Sequence, residues 1–274
     1  MPAPETKPEI PPPETTIDHL LGGRVALAQP AAGYRAAIDP VLLAAAVDAA
    51  PGERVVDLGC GVGTAALCLM QRVPELRVLG VDCDPDAVAL ACGNAGRNRR
   101  DGFTVQMLDL LGDPAALAAL APVAHVMTNP PFHAAAASDP SPVAAKARAT
   151  IAGFALDVWL ARAVRLLAPR GSLTVIYRAD RLDALLAALP KAVGAIAVVP
   201  LWPRAGAPAK RVIVAAIKGS RAPCTITAGL VLHRPDGGYT AEAEALLREA
   251  AGLGDVVAGL WKARAGRRAA AQAD

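Results

Sequence analysis

Aromatic side chains are scarce. Phe, Tyr and Trp make up 3% of the 274 residues, although 54% of the chain is apolar. The core must therefore be built from Ala, Leu and β-branched residues, which suits Ala/Leu helices packed on Val/Ile strands. The cysteines, Cys60, Cys68, Cys83, Cys92 and Cys224, form an odd set of five without a C-x-x-C spacing. That suggests neither a disulfide framework nor a zinc site. It fits small buried hydrophobes in a reducing cytosol, so most of the five are expected to be buried. Neither sign of charge dominates, and a net +3 does not by itself mark a nucleic-acid binder. The longest uncharged stretch, Pro114–Ser138, holds four prolines and an Asn and cannot form a membrane helix. The start, Met1–Pro8 and then Pro11-Pro12-Pro13, has no apolar core of a signal peptide. No internal repeat is present, and nothing in the sequence sets an oligomeric state.

What is present is a strand–helix alternation. Strands are expected near 54–58, 77–82, 104–108, 125–128 and 172–177, with helices between them, notably 85–98 and 154–167. This pattern predicts an α/β fold with a parallel, doubly wound sheet. Gly194–Pro200 and Arg211–Ile217 read as an antiparallel hairpin, Cys224–Leu232 as an edge strand and Ala241–Ala251 as a closing helix. Residues 1–14 read as a disordered Pro-rich tail. Residues 15–255 read as one domain with a cap (15–50), a core (51–220) and an extension (221–255). Residues 256–274 read as a basic Ala/Arg-rich tail.

Chemistry concentrates at the predicted strand ends. In Val55-Val56-Asp57-Leu58-Gly59-Cys60-Gly61-Val62-Gly63-Thr64 a short strand runs into alternating glycines and then a helix. Glycines let the backbone approach a ligand closely, and the helix start offers free N–H groups. Asp57, two places before the first glycine, suits a cationic amine better than a pyrophosphate. Asp82 ends the second strand, where a carboxylate can accept both ribose hydroxyls. Asp109 ends the third, where it can accept from an adenine amine. Strand-end Asp residues also cap turns, but here three stand beside one glycine turn. Asn129-Pro130-Pro131-Phe132 follows an apolar strand that two prolines cannot continue. The turn leaves an amide and an aromatic ring at the rim, poised for a flat substrate.

Asp57-Leu-Gly-Cys-Gly-x-Gly63, Val81-Asp82, Asp109-Leu110 and Asn129-Pro-Pro-Phe132 resemble class I S-adenosylmethionine-dependent methyltransferases. The last motif is that of members that methylate adenine, guanine or glutamine-amide nitrogens. The N-terminal Thr16-Ile-Asp-His-Leu-Leu-Gly-Gly-Arg24, Gln29-Pro30, Gly33-Tyr34-Arg35 and Ile38-Asp39-Pro-Val-Leu-Leu-Ala44 narrow the resemblance. So do Tyr177-Arg-Ala-Asp-Arg181, Pro208-Ala-Lys-Arg211 and Tyr239-Thr-Ala-Glu-Ala-Glu244. Together they look like the bacterial adenine-N6 methyltransferases of valine tRNA, over roughly residues 16 to 250. One departure is Ala124-His125, where many relatives carry an acid.

The resemblance implies a Rossmann-like seven-stranded sheet with one reversed strand, helices on both faces, and S-adenosyl-L-methionine as cofactor. Asp57, Gly59, Cys60, Gly61, Asp82, Cys83, Asp109, Leu110 and Asn129 would bind that cofactor. Asn129 and Pro130 would accept the two amine hydrogens of a target base, Pro131 would stiffen the turn and Phe132 would stack. The substrate would be an adenine in RNA, most simply in a tRNA near its anticodon, with no metal and no membrane partner. Arg35, Arg178, Arg181, Arg204, Lys210 and Arg211, with Lys146 and Arg148, form a basic rim for phosphates or are ordinary solvated cations, while Tyr34 covers the cofactor, stacks on RNA or closes the cap. His133 is a rim residue rather than a catalyst, and His125 a packed, hydrogen-bonded side chain. Trp202 stacks on a base or anchors a loop. The other readings are a glutamine-amide methyltransferase, which usually has Tyr in place of Phe132, a non-catalytic RNA-binding module, and a nicotinamide dehydrogenase. Thr64 and Asp57 argue against the last.

Overall fold

The computed structural model describes residues 14–32, 38–112, 114–131 and 155–261. Its centre is a nine-stranded sheet. The strands β3 (Arg54–Leu58), β4 (Arg77–Asp82), β5 (Phe103–Met107), β6 (Val123–Thr128), β7 (Leu167–Arg178), β8 (Val193–Arg204) and β9 (Arg211–Lys218) lie in the order β5-β4-β3-β6-β7-β9-β8. All of these run parallel except β9, which is antiparallel to both β7 and β8. This is the expected seven-stranded sheet with one reversed strand. The expected edge strand at 224–232 is two short pieces, β10 (Thr225–Ile226) and β11 (Leu230–His233), both parallel to β8.

Helices cover both faces. On one lie α1 (Asp39–Ala46), α2 (Thr64–Arg72), α3 (Pro85–Arg97), α7 (Ala241–Arg248) and α8 (Leu253–Val256). On the other lie α4 (Pro114–Ala118), α5 (Leu156–Leu166) and α6 (Leu182–Ala188). The core is aliphatic, as the scarcity of aromatics requires. Leu42, Leu67 and Leu69 fill one face, and Leu160, Leu166 and Leu173 the other; all six are 1% exposed or less. Each such side chain contributes roughly 1.5–3 kcal/mol.

The cap contains a feature the sequence did not announce, a hairpin of β1 (Thr15–Leu20) and β2 (Val25–Pro30). Two asparagines four residues apart, Asn94 on α3 and Asn98 just past its end, hold it. Asn94 donates Nδ2–H to the Ala28 carbonyl at 2.9 Å and accepts from the Ala28 N–H at 2.8 Å. Asn98 does the same with Ala26, at 2.7 and 2.9 Å. Two side-chain amides thus satisfy the hairpin edge as a further strand would. The carboxyl end of α1 is tied down from far along the chain. Its Ala44 carbonyl accepts from Arg72 at 3.1 Å, and its Ala46 carbonyl from the Trp261 indole at 3.0 Å. The cysteine expectation needs correction. All five are free, but only Cys60 and Cys68 are buried, while Cys83, Cys92 and Cys224 are exposed. Cys92 lies on the solvent side of α3, and the other two lie in links outside the core.

Candidate active site

The order of strands reverses between β3 and β6, and the crevice at their carboxyl ends is where such sheets bind ligands. Both motifs leave the sheet there. Thr128, the last residue of β6, is level with Leu58 on β3 and with Val175 on β7. The glycine turn and the Asn-Pro-Pro turn therefore rise side by side.

Asp57 is 2% exposed, and its Oδ2 has no hydrogen-bond partner among the described residues. Burial first, and the nearby Asp82 charge second, push its carboxyl up from 3.8 to about 7, against a backbone N–H at Ala66 that favours the charged form. Asp82 accepts from the Gly61 N–H at 2.8 Å through Oδ2 and from the Asp84 N–H at 3.1 Å through Oδ1. It fixes the glycine turn, and each oxygen keeps a lone pair. Gly61 has φ +53, and a side chain there would meet nothing within 4 Å, so open space lies against that backbone. Gly59 has φ +71 and a different neighbour: a Cβ would stand 3.3 Å from the Trp159 ring.

The remaining acidic and cysteine positions are arranged less simply. Asp109 is exposed and its Oδ1 accepts from the Leu111 N–H at 2.8 Å, closing a turn while Oδ2 stays at the rim. The Leu110 side chain is in the core at 5% exposure, so only its backbone can reach a ligand. The Cys60 thiol lies beneath Gly80, where an added Cβ would come within 2.8 Å of the sulfur. Burial, reinforced by Asp57 and Asp82, pushes that thiol far up and keeps it protonated. Cys83 is exposed, and partial burial with Asp82 also raises its thiol.

Pro130 is buried and Pro131 half-buried. Asn129 is half-buried, but its Oδ1 is fully buried and, among the described residues, has no partner. Phe132 lies outside the described residues, as do Tyr34, Arg35, His133, Lys146, Arg148 and residues 1–13 and 262–274. Two residues that sequence reasoning missed hold this turn. The Trp159 indole on α5 donates to Thr128 Oγ1 at 3.0 Å, and that hydroxyl donates to the Leu58 carbonyl at 2.7 Å. Thr128 is fully buried and Trp159 is 8% exposed. The relay joins the last residue before Asn129 to the last residue before Gly59. The available signals were a lone hydroxyl ending an apolar strand and a Trp on a buried helix face.

The basic rim divides. Arg178 is engaged by Asp180 through two hydrogen bonds, one from Nε at 2.8 Å. Arg211 is paired with Asp39 at 2.7 Å. Both are spent on protein carboxylates. Arg181, Arg204 and Lys210 are exposed and show no ion pair among the described residues. Trp202 donates to the Ala228 carbonyl at 3.1 Å and anchors the link between β10 and β11. His125 is fully buried and bonded through both ring nitrogens, to Ser172 at 2.7 Å and to Glu53 at 2.8 Å.

The sheet order, the reversed seventh strand and a glycine turn at the switch point define a class I methyltransferase, with S-adenosylmethionine as its cofactor. The crevice fits that molecule: an orphaned buried carboxylate oxygen can meet its cationic amine, and open space against Gly61 admits its close approach. Residues 36–199 match the family model of the methyltransferase small domain, and the chain belongs to that family. It is 30% identical over 207 residues to the tRNA1(Val) (adenine(37)-N6)-methyltransferase of Aeromonas hydrophila, covering 74% of this chain and 84% of that protein. It is 34% identical over 92 residues to ribosomal RNA small subunit methyltransferase C of Pseudomonas aeruginosa, covering 34% of this chain and 26% of that one. Among solved structures, a predicted O-methyltransferase from Agrobacterium tumefaciens superimposes with a TM-score of 0.65 at 25% identity. That match covers 78% of this chain and 97% of the other.

Proposed function

We propose that this methyltransferase acts on the exocyclic amine of an adenine in RNA, in a tRNA close to its anticodon. One observation carries the reading: the Asn129 side-chain oxygen is buried at the switch point without a partner among the described residues. A buried acceptor left unmade costs about 1–3 kcal/mol, and an incoming N–H donor recovers that. The names of the Aeromonas and Pseudomonas relatives support RNA as the substrate class.

An adenine amine is a poor nucleophile because its lone pair is delocalised into the ring. In this reading Asn129 Oδ1 and the Pro130 carbonyl each accept one amine hydrogen and favour a pyramidal nitrogen. Pro131 stiffens the turn and Phe132 stacks on the base, worth roughly 1–3 kcal/mol. The base must be unstacked to reach the turn, and an anticodon loop presents such bases. The cofactor supplies the methyl group as an activated sulfonium. When bound, the cofactor would be held with its amine toward Asp57, the backbone of Gly59, Cys60 and Gly61 along it, its ribose hydroxyls on Asp82, and Cys83, Asp109 and Leu110 beside its adenine. Methyl transfer from a sulfonium is downhill, so positioning supplies much of the rate, and the proton can leave to water afterwards.

The test is transfer from labelled S-adenosylmethionine to total tRNA of a strain lacking this protein, followed by nucleoside analysis. Label as N6-methyladenosine in one tRNA is the expected result. Label in a protein amide or on a hydroxyl, with none in RNA, would overturn the reading.

A further inference from the structure

A cavity of about 390 Å³ opens beside the carboxyl end of β7. Its lining comes from Leu156 and Asp157 at the start of α5, Tyr177 on β7, Arg181, and alanines of α6, among them Ala184 and Ala188. The register fixes where this lies. Thr128, the last residue of β6, is level with Val175, so Tyr177 stands two residues beyond it at the carboxyl end of β7. Tyr177 shares the core cluster of Val175 and Trp159, the face on which Thr128 bonds to Trp159. The cavity therefore opens on the same face and at the same end of the sheet as the Asn-Pro-Pro turn.

Its chemistry is specific. A tyrosine ring and alanine methyls give apolar walls in a chain otherwise poor in aromatics. Arg181 is exposed and, unlike Arg178, is not bound to Asp180 or to another carboxylate among the described residues. Asp157 adds an acceptor that would repel a free phosphate. A ligand that suits all three has a flat ring, an amine donor and a phosphate held to one side. The volume lies within the range of roughly 300–1,000 Å³ usual for small-ligand sites.

We propose that this cavity takes the amine-bearing base of the nucleotide next to the target adenine, with Asp157 accepting from the amine and Arg181 holding the connecting phosphate. The inference rests on the RNA reading above and makes the site recognise two consecutive nucleotides rather than one.

The test measures, in parallel, binding of a fluorescent anticodon stem-loop and methyl transfer to it by the full chain. Arg181→Ala and Ala184→Phe should each weaken loop binding about 10-fold, the lower end of what a stacked base contributes. S-adenosylmethionine affinity should stay within about twofold, which also reports that the variants fold. Loops made abasic at the adenine's neighbours should bind wild type more weakly, and on the loop lacking the recognised base Ala184→Phe should have no further effect. A loop affinity unchanged in both variants, or an Ala184→Phe penalty that persists on every abasic loop, would overturn the cavity's role. So would a wild-type chain that binds no RNA. Wild type that binds the loop and is weakened by these variants, yet transfers no methyl group, would uphold the cavity and defeat the adenine reading.

Discussion

The two ends of the central strands treat buried polar groups in opposite ways. At the amino end of β6, His125 is buried and fully engaged. Its Nε2 lies 2.8 Å from the Glu53 carboxylate and its Nδ1 2.7 Å from the Ser172 hydroxyl. At the carboxyl end, Asp57 Oδ2 and Asn129 Oδ1 are buried with no partner among the described residues. Buried polar atoms are normally satisfied; the first cluster joins β6 and β7 to the residue before β3, while the second pair is open to the donors that the proposed function assigns to it. The two sets lie four residues apart in sequence on each side, Glu53 just before β3 and Asp57 within it, His125 within β6 and Asn129 just after it.

The largest expected effect breaks the ligand end. Asn129→Ala should lower kcat about 10²-fold or more, the scale of losing one preorganised hydrogen-bonding group at a reacting centre. Cofactor affinity by titration calorimetry should stay nearly constant. Unchanged turnover would remove Asn129 from the chemistry. The next effect breaks the structural end. His125→Ala leaves Ser172 and Glu53 without their shared partner and opens a cavity, which should cost about 3 kcal/mol in denaturant unfolding. The kcat of the folded fraction should not change. A stability loss under about 1 kcal/mol would show that water replaces the ring.

The contrast also explains what could be read from sequence. Asp57, Asp82 and Asn129 were legible because strand ends in an alternating fold converge on one edge, whatever the details of packing. The parallel part of the core followed from the same alternation, whereas the count of seven strands with one reversed came from the family resemblance. The Asn94 and Asn98 ladder to β2 was not legible, because it joins residues 66 and 72 apart through side-chain amides with no periodic signature. The division of the basic rim was equally hidden. Arg178 and Arg181 look alike in sequence, and only the bend at 179–181 turns Asp180 back onto one of them. Trp159 and Thr128 were missed because helix α5 meets β6 across the sheet face, a contact that depends on tertiary packing alone.

Asp57 sharpens the comparison through pH. Its carboxyl sits at about 7 in the folded chain against 3.8 ordinarily, so the folded state holds a proton that the unfolded chain releases. Stability from this group is therefore fully present below the ordinary carboxylate range and falls as pH rises to about 7. Asp57→Asn should remove that fall, raising stability by roughly 1–3 kcal/mol near pH 8 with little effect near pH 4. A cationic amine against Asp57 favours the charged form, so wild-type cofactor affinity should rise with pH up to about 7 and the variant's should not. Identical pH dependence in both would separate Asp57 from the cofactor.

The smallest effect probes the link between the two turns. Trp159→Phe keeps a ring beneath Gly59 but removes the donor to Thr128, a bond of 3.0 Å in a buried site. One such bond is worth about 1 kcal/mol, and the expected loss in global stability is no larger. Its functional trace should be different in kind. Thr128 still donates to the Leu58 carbonyl, so the sheet stays joined, but its hydroxyl is no longer held from the α5 side. The Asn129 turn should then sample more positions relative to the glycine turn. A positioning role predicts that kcat falls several-fold while both KM values hold. A purely structural role predicts a lower Tm with kcat of the folded enzyme untouched. Asn129→Ala combined with Trp159→Phe should lose no more than Asn129→Ala alone, because the relay acts only through the turn it holds.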